Sequence, residues 1–264
     1  MAKVLPALPS AHFKTIRAIF ALILREMATT YGRSPGGYFW AILEPVAATA
    51  LLAFVFSLAF RAPPIGDNFS LFYATGLLPF MVYVDVSVKV SQSLQFSRPL
   101  LFYPSITYFD AIIARFILNF ITHIMVFVFI ITGIVFIFSV RTIIDYQSVF
   151  NSLTMAAALA LGVGSINCFL ISMFPVWLRI WSILNRPLFI ISCILFTFEA
   201  IPQPYRDYLW FNPLVHIVGE MRHAFYPTYD AYYVSSLYVF SISGALFILA
   251  FIFLNRYHRS ILND

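Results

Sequence analysis

The chain has 264 residues, 61% of them hydrophobic and only 10% charged, and its mean hydropathy is +0.88. Soluble domains are nearer half apolar and a quarter charged, so this balance excludes a soluble fold and specifies an integral membrane protein. The net charge of +5 comes from basic residues scattered without a stripe, which argues against nucleic acid as a partner.

The first residues carry Lys3, but Pro6 and Pro9 interrupt any apolar core. No cleavable signal peptide is expected, and this end is expected in the cytoplasm. Phe13 to Thr30 reads as an amphipathic helix, part of an interface segment assigned to 12–37. Ile16, Ile19, Phe20, Ile23 and Met27 share one face, with Lys14, Arg17 and Arg25 roughly opposite, the pattern of a helix lying in the headgroup plane. Arg25, Glu26 and Arg33 are expected in water or among headgroups. Pro35, Gly36 and Gly37 break the helix. Tyr38, Phe39 and Trp40 then mark the membrane boundary before the first span. This stretch fits either a juxtamembrane anchor or a joint through which a soluble motor pushes on a membrane pore.

Apolar runs at 39–60, 71–94, 110–140, 149–174, 188–200 and 234–254 give six expected spans. The fold class is therefore an all-α polytopic membrane protein. Span three exceeds the hydrocarbon thickness at 1.5 Å per residue, and span five is short. Gln95–Tyr108 and Pro175–Pro187 read as loops, while 201–233 is too polar to span and reads as a re-entrant periplasmic segment. With the N-terminus inside, ten basic residues fall on inner segments (Lys3, Lys14, Arg17, Arg25, Arg33, Arg98, Arg179, Arg186, Arg256 and Arg259). Four, Arg61, Arg141, Arg206 and Arg222, fall outside, as the positive-inside rule requires.

Among the three lysines, Lys3, Lys14 and Lys89, none follows a Gly-rich turn, and no GxxxxGK[ST] run occurs. ATP hydrolysis on this chain is not expected. Arg115, Asn119 and His123 lie on one face of span three. They read either as a snorkelling arginine with helix-bonding partners or as a polar track along a conduit. Asp85 and Lys89, at i and i+4 in span two, read as an intrahelical ion pair. Ser152, Ala156, Ala160, Gly164, Cys168 and Ser172 form a small-residue face on span four, which suits close helix packing within a subunit or across a dimer.

Cys168 and Cys193 fall in apolar runs and suit neither a disulfide framework nor a metal site. Tyr205 to Tyr233 is rich in aromatics, including Tyr205, Tyr208, Trp210 and Tyr226. Asn212-Pro213 starts a helix whose polar face carries His216, Glu220 and His223. An aromatic belt, a hydrated helix face and the lining of an exit all fit this pattern, and no metal is expected.

Two motifs carry a resemblance. LREMATTYGRSPGGYFWAILEP, at Leu24–Pro45, and IPQPYRDYLWFNPLVHIVGEMRHAFYP, at Ile201–Pro227, resemble the corresponding segments of type-2 ATP-binding-cassette exporter permeases. The fit is closest to those that export capsular polysaccharide. Pro202, Asn212, Pro213, His216, Glu220 and Arg222 match that pattern, while Gly219 and the Gly32/Pro35 details depart from it.

The resemblance implies a homodimeric permease of the bacterial inner membrane with both termini in the cytoplasm. ATP and Mg would be bound by a separate ATPase dimer. Further implied partners are a periplasmic co-polymerase-type adaptor, an outer-membrane polysaccharide export protein and membrane lipids. It implies ATPase coupling by Arg17, Arg25, Glu26, Arg33 and Arg98. It also implies a substrate conduit lined by Arg115, Asn119, His123, Tyr205, Tyr208, Trp210, His216, Glu220, Arg222 and Tyr226. A related exporter of O-antigen, teichoic acid, lipid or drug, or an intramembrane transferase using His123 or His216, are the alternatives.

Overall fold

The computed structural model describes residues 14–31, 37–101 and 106–263; Arg33, Pro35, Gly36 and Pro104 lie outside them. Ten α-helices follow in chain order: α1 (Lys14–Glu26), α2 (Gly37–Ala59), α3 (Phe69–Ser91), α4 (Ser93–Leu101), α5 (Tyr108–Ile137), α6 (Tyr146–Met173), α7 (Trp177–Ile191), α8 (Tyr205–Trp210), α9 (Pro213–Phe225) and α10 (Ser236–Asn263). Among the described residues there is no strand. Helices satisfy the backbone groups of their interior within the segment, which is what an apolar solvent demands.

Side chains set several of the helix starts. Asn68 caps α3 by accepting from the Leu71 amide. Thr107 and Asp110 form a reciprocal capping box at α5, and Asp145 caps α6. Asn212 caps α9, whose first residue is Pro213, where a missing N–H costs nothing.

Among the described residues, five helices are long and apolar enough to cross a membrane: α2, α3 continuing into α4, α5, α6 and α10. They correspond to expected spans one, two, three, four and six. The expected fifth span differs. Helix α7 covers Trp177–Ile191, across the stretch read as a loop to Pro187, and stops well before Ala200. Trp177, Trp181, Asn185, Leu188 and Phe189 recur on its half-buried face at helical spacing, so the helix runs through Pro187. Beyond it, Cys193 takes a left-handed φ of 59°, and a short 3₁₀ turn occupies Phe198–Ala200. The expected loop 95–108 is likewise part helix: α4 buries Ser93, Leu94 and Ser97 on one side and runs through Pro99. In both cases amphipathic packing outweighs the breaker.

The core is α3 and α6, with α10 and α9 laid against α6. Within the apolar window of α3, 78% of the residues are buried, against 11% for α2, so α2 is an outer wall. The small-residue face of α6 explains the close approach. Ser152, Ala156, Ala160 and Cys168 are fully buried. A Cβ on Gly164 would stand 2.8 Å from Val90 of α3, and one on Gly162 would meet the Ser243 carbonyl of α10. The face therefore packs within the subunit.

Gly164→Leu is expected to drive α3 and α6 apart and lower the amount of folded protein in the membrane several-fold, because a bulky side chain overfills a contact with no slack. Comparison of membrane levels and detergent monodispersity with a Gly133→Leu control, whose added Cβ meets nothing within 4 Å, checks this.

Candidate functional site

The polar residues gather at three levels. At the first, α1 meets α4 and α5. Leu22 and Glu26, one turn apart, are the buried residues of α1. The Arg115 Nε of α5 donates to Glu26 Oε1 at 2.9 Å, and both side chains are nearly inaccessible. Phe96 of α4 lies beneath, its ring 4.3 Å from the Arg115 guanidinium and 5.4 Å from that of Arg25. The expectation that Glu26 sits in water or headgroups is corrected: it is buried because Arg115 neutralises it. Arg17 and Arg98 are exposed, and Arg33 is outside the described residues.

The second level lies higher on α5. Asn119 is buried and donates back to the Arg115 carbonyl. His123 approaches Asp85 of α3, Nε2 to Oδ2, at 3.4 Å. Arg115, Asn119 and His123 thus share a helix face but serve different neighbours, α1 for the first and α3 for the last. The expected Asp85–Lys89 bridge does not form within 4.0 Å among the described residues; Asp85 reaches across to α5 instead.

The third level is the turn region around α8 and α9. His216 is fully buried. Its Nδ1 accepts from the Ser235 amide at 3.1 Å and its Nε2 donates to the Trp210 carbonyl at 2.8 Å, so one neutral tautomer uses both nitrogens. The expected hydrated face therefore excludes His216. Arg222 is also fully buried, donating to the carbonyls of Ile194 and Phe196 at 2.7 Å each, with Phe72 4.2 Å beneath it. It fastens the turn after α7 to α9. Trp210 Nε1 donates to the Tyr233 carbonyl. Tyr226 is buried over Gly66, whose φ of 71° and lack of a side chain let the ring approach. Tyr205 and Tyr208 remain exposed.

Glu220 and His223 do reach open space. Glu220 accepts from Asn151 of α6 at 2.8 Å, and Glu220 and His223 line a cavity of about 320 Å³ with Ser148, Asp230, Tyr232 and Ser236. Beside it, the Tyr229 hydroxyl donates to the Glu199 carboxylate at 2.9 Å and meets the Tyr233 hydroxyl. Burial pushes both phenols well above their ordinary range, so both stay protonated.

The partnerships of Glu26 and Asn151 had little local signal in the sequence. Glu26 is the first acidic residue in the chain, which marked it as unusual without indicating burial. Among the described residues no cluster of three His, Cys, Asp or Glu suits a metal.

Arg222→Lys is expected to destabilise the protein by about 2 kcal/mol, because one ammonium does not reproduce a fork that serves two buried carbonyls. Tyr208→Phe, at an exposed position, stays within about 0.5 kcal/mol. Thermal unfolding of both variants in the same detergent checks the contrast.

Residues 17–226 match the ABC-2 type transporter family. The chain is 31% identical over 234 residues to the polysialic acid transport protein KpsM of Escherichia coli, covering 89% of each chain. It is 26% identical over 247 residues to the capsule polysaccharide export inner-membrane protein BexB of Haemophilus influenzae, with 93% of this chain and 92% of that one covered. It is 24% identical over 246 residues to the corresponding protein CtrC of Neisseria meningitidis, at 93% and 92% coverage. With a match over most of its length and helices built for an apolar solvent, the chain belongs to the ABC-2 type transporter family.

Proposed function

We propose that this chain is the transmembrane subunit of an ATP-driven exporter that moves lipid-linked capsular polysaccharide across the bacterial inner membrane. The observation that carries the reading is the near-full-length similarity to KpsM, BexB and CtrC. Two copies pair and the conduit lies between them. Each copy binds one subunit of an ATPase dimer that holds ATP and Mg. The periplasmic adaptor and the outer-membrane export protein receive the polymer.

In this reading α7 and residues 192–200 complete a sixth crossing, so both termini lie in the cytoplasm. Helix α1 lies along the inner surface. Ile16, Phe20, Leu24 and Met27 are exposed and meet lipid, while Leu22 and Glu26 hold the protein. A push on α1 or α4 from the ATPase reaches α5 through the Glu26–Arg115 pair and the Phe96 ring. Arg17, Arg25 and Arg98 are the residues for that coupling on the described helices. At the outer end α8 and α9 form a re-entrant segment, and Tyr205, Tyr208 and Glu220 offer aromatic faces and an acceptor to the emerging sugar. Trp210, His216, Arg222 and Tyr226 hold that segment in shape.

Two measurements test this. The chain purified by itself is expected to hydrolyse no ATP above background, and to restore surface polysaccharide in a host lacking its own copy only when the ATPase is present. Hydrolysis by the chain alone, or surface polysaccharide unchanged by its deletion, contradicts the reading.

A further inference from the structure

Four ionisable side chains stand on α2, α3 and α5, three of the helices long and apolar enough to cross a membrane. Asp85 sits in α3 and contacts His123, which lies midway along α5. Lys89, one turn further along α3, acts electrostatically on both. Glu44 stands on α2, which packs against α3. None of these groups is used by the ion pair at α1 or by the turn region around α9.

The accessibility of the carboxylates is the unusual feature. The Asp85 side chain is 41% accessible although it lies inside a long apolar helix. Glu44 is exposed on α2, and Lys89 is partly so. On the same outward face of α2 stand Trp40, Leu51, Phe54 and Leu58. Charged groups left against hydrocarbon cost several kcal/mol each. Asp85 gains a neighbouring imidazole, but Lys89 makes no ion pair within 4.0 Å among the described residues. Charges of both signs at these positions are better matched by water or a polar ligand than by hydrocarbon.

We propose that Asp85, Lys89 and His123, with Glu44 at the rim, form an intramembrane binding site for a hydroxyl-rich sugar unit of the cargo. The chemistry is mixed in the way a sugar ring requires. Carboxylates accept from hydroxyls, the ammonium donates to hydroxyl or carboxylate oxygens, and the imidazole does either. This site rests on the polysaccharide-export reading for the identity of its ligand, but its wetness does not.

The test uses the full complex with its ATPase in native membrane vesicles. Cys168 and Cys193 are buried, so background labelling is low. Glu44→Cys, Asp85→Cys and Leu51→Cys are each treated with a charged methanethiosulfonate. The first two are expected to react at least about tenfold faster than Leu51→Cys, since thiolate formation and a charged reagent both need water. Oligosaccharide purified from the host's own surface polymer is expected to slow labelling of Asp85→Cys. Lys89→Gln, at a partly exposed position where folding is spared, is expected to lower surface polysaccharide at least about tenfold per assembled complex.

Labelling as slow as at Leu51→Cys overturns the site by showing it dry. Fast labelling indifferent to the oligosaccharide, together with normal export by Lys89→Gln, overturns it as a sugar site. Failure of the unaltered chain to support surface polysaccharide counts instead against the export reading, which the labelling rates do not address.

Discussion

The contact between Glu26 and Arg115 sets the terms for the rest of the structure. Two opposite charges are removed from water, which is tolerable only while each has the other. The pair joins α1, which has few other buried residues, to α5, the longest helix in the subunit. With Phe96 under the guanidinium, α4 is tied to the same point. The short α1 is thereby fixed in register with a helix long and apolar enough to cross a membrane. Displacing one without the other would leave a charge buried alone.

The region around α8 and α9 follows a different logic. His216 and Arg222 are the most conspicuous polar residues of α9, yet both hydrogen-bond carbonyls and amides of neighbouring backbone. They make an irregular, non-helical turn tolerable in an apolar setting by satisfying its backbone. Glu220 and His223, by contrast, line an open cavity. The subunit thus uses buried polar groups as fasteners at α1 and at α9, and leaves Asp85 and Glu220 partly accessible.

Much of the fold was legible in the sequence because apolar runs long enough to span have few alternatives. The starts of α5 and α9 were legible too, at Asp110 and at Asn212-Pro213. The misreadings share one cause. Pro99 and Pro187 are strong local breakers, but α4 and α7 gain enough from one packed face to carry a proline each. The pairing errors are also local readings overtaken by distant ones. Asp85 has Lys89 one turn away but contacts His123, 38 positions on. Glu26 looked solvated because it stands beside Arg25, and its partner is 89 residues away. Spacing along one helix does not reveal which second helix will arrive. For the candidate site, the residue types were visible and their division into fasteners and free groups was not.

The central claim is that the Glu26–Arg115 pair fastens α1 to α5. A double-mutant cycle with Glu26→Gln, Arg115→Met and the combination, read as unfolding free energy of the purified protein, tests it most directly. Each single change should cost about 3–5 kcal/mol by stranding its partner. The double should cost no more than either single, giving a coupling well beyond the roughly 0.5 kcal/mol expected of independent sites. Single costs that simply add would mean that the two residues act separately, and the account of the joint would be wrong.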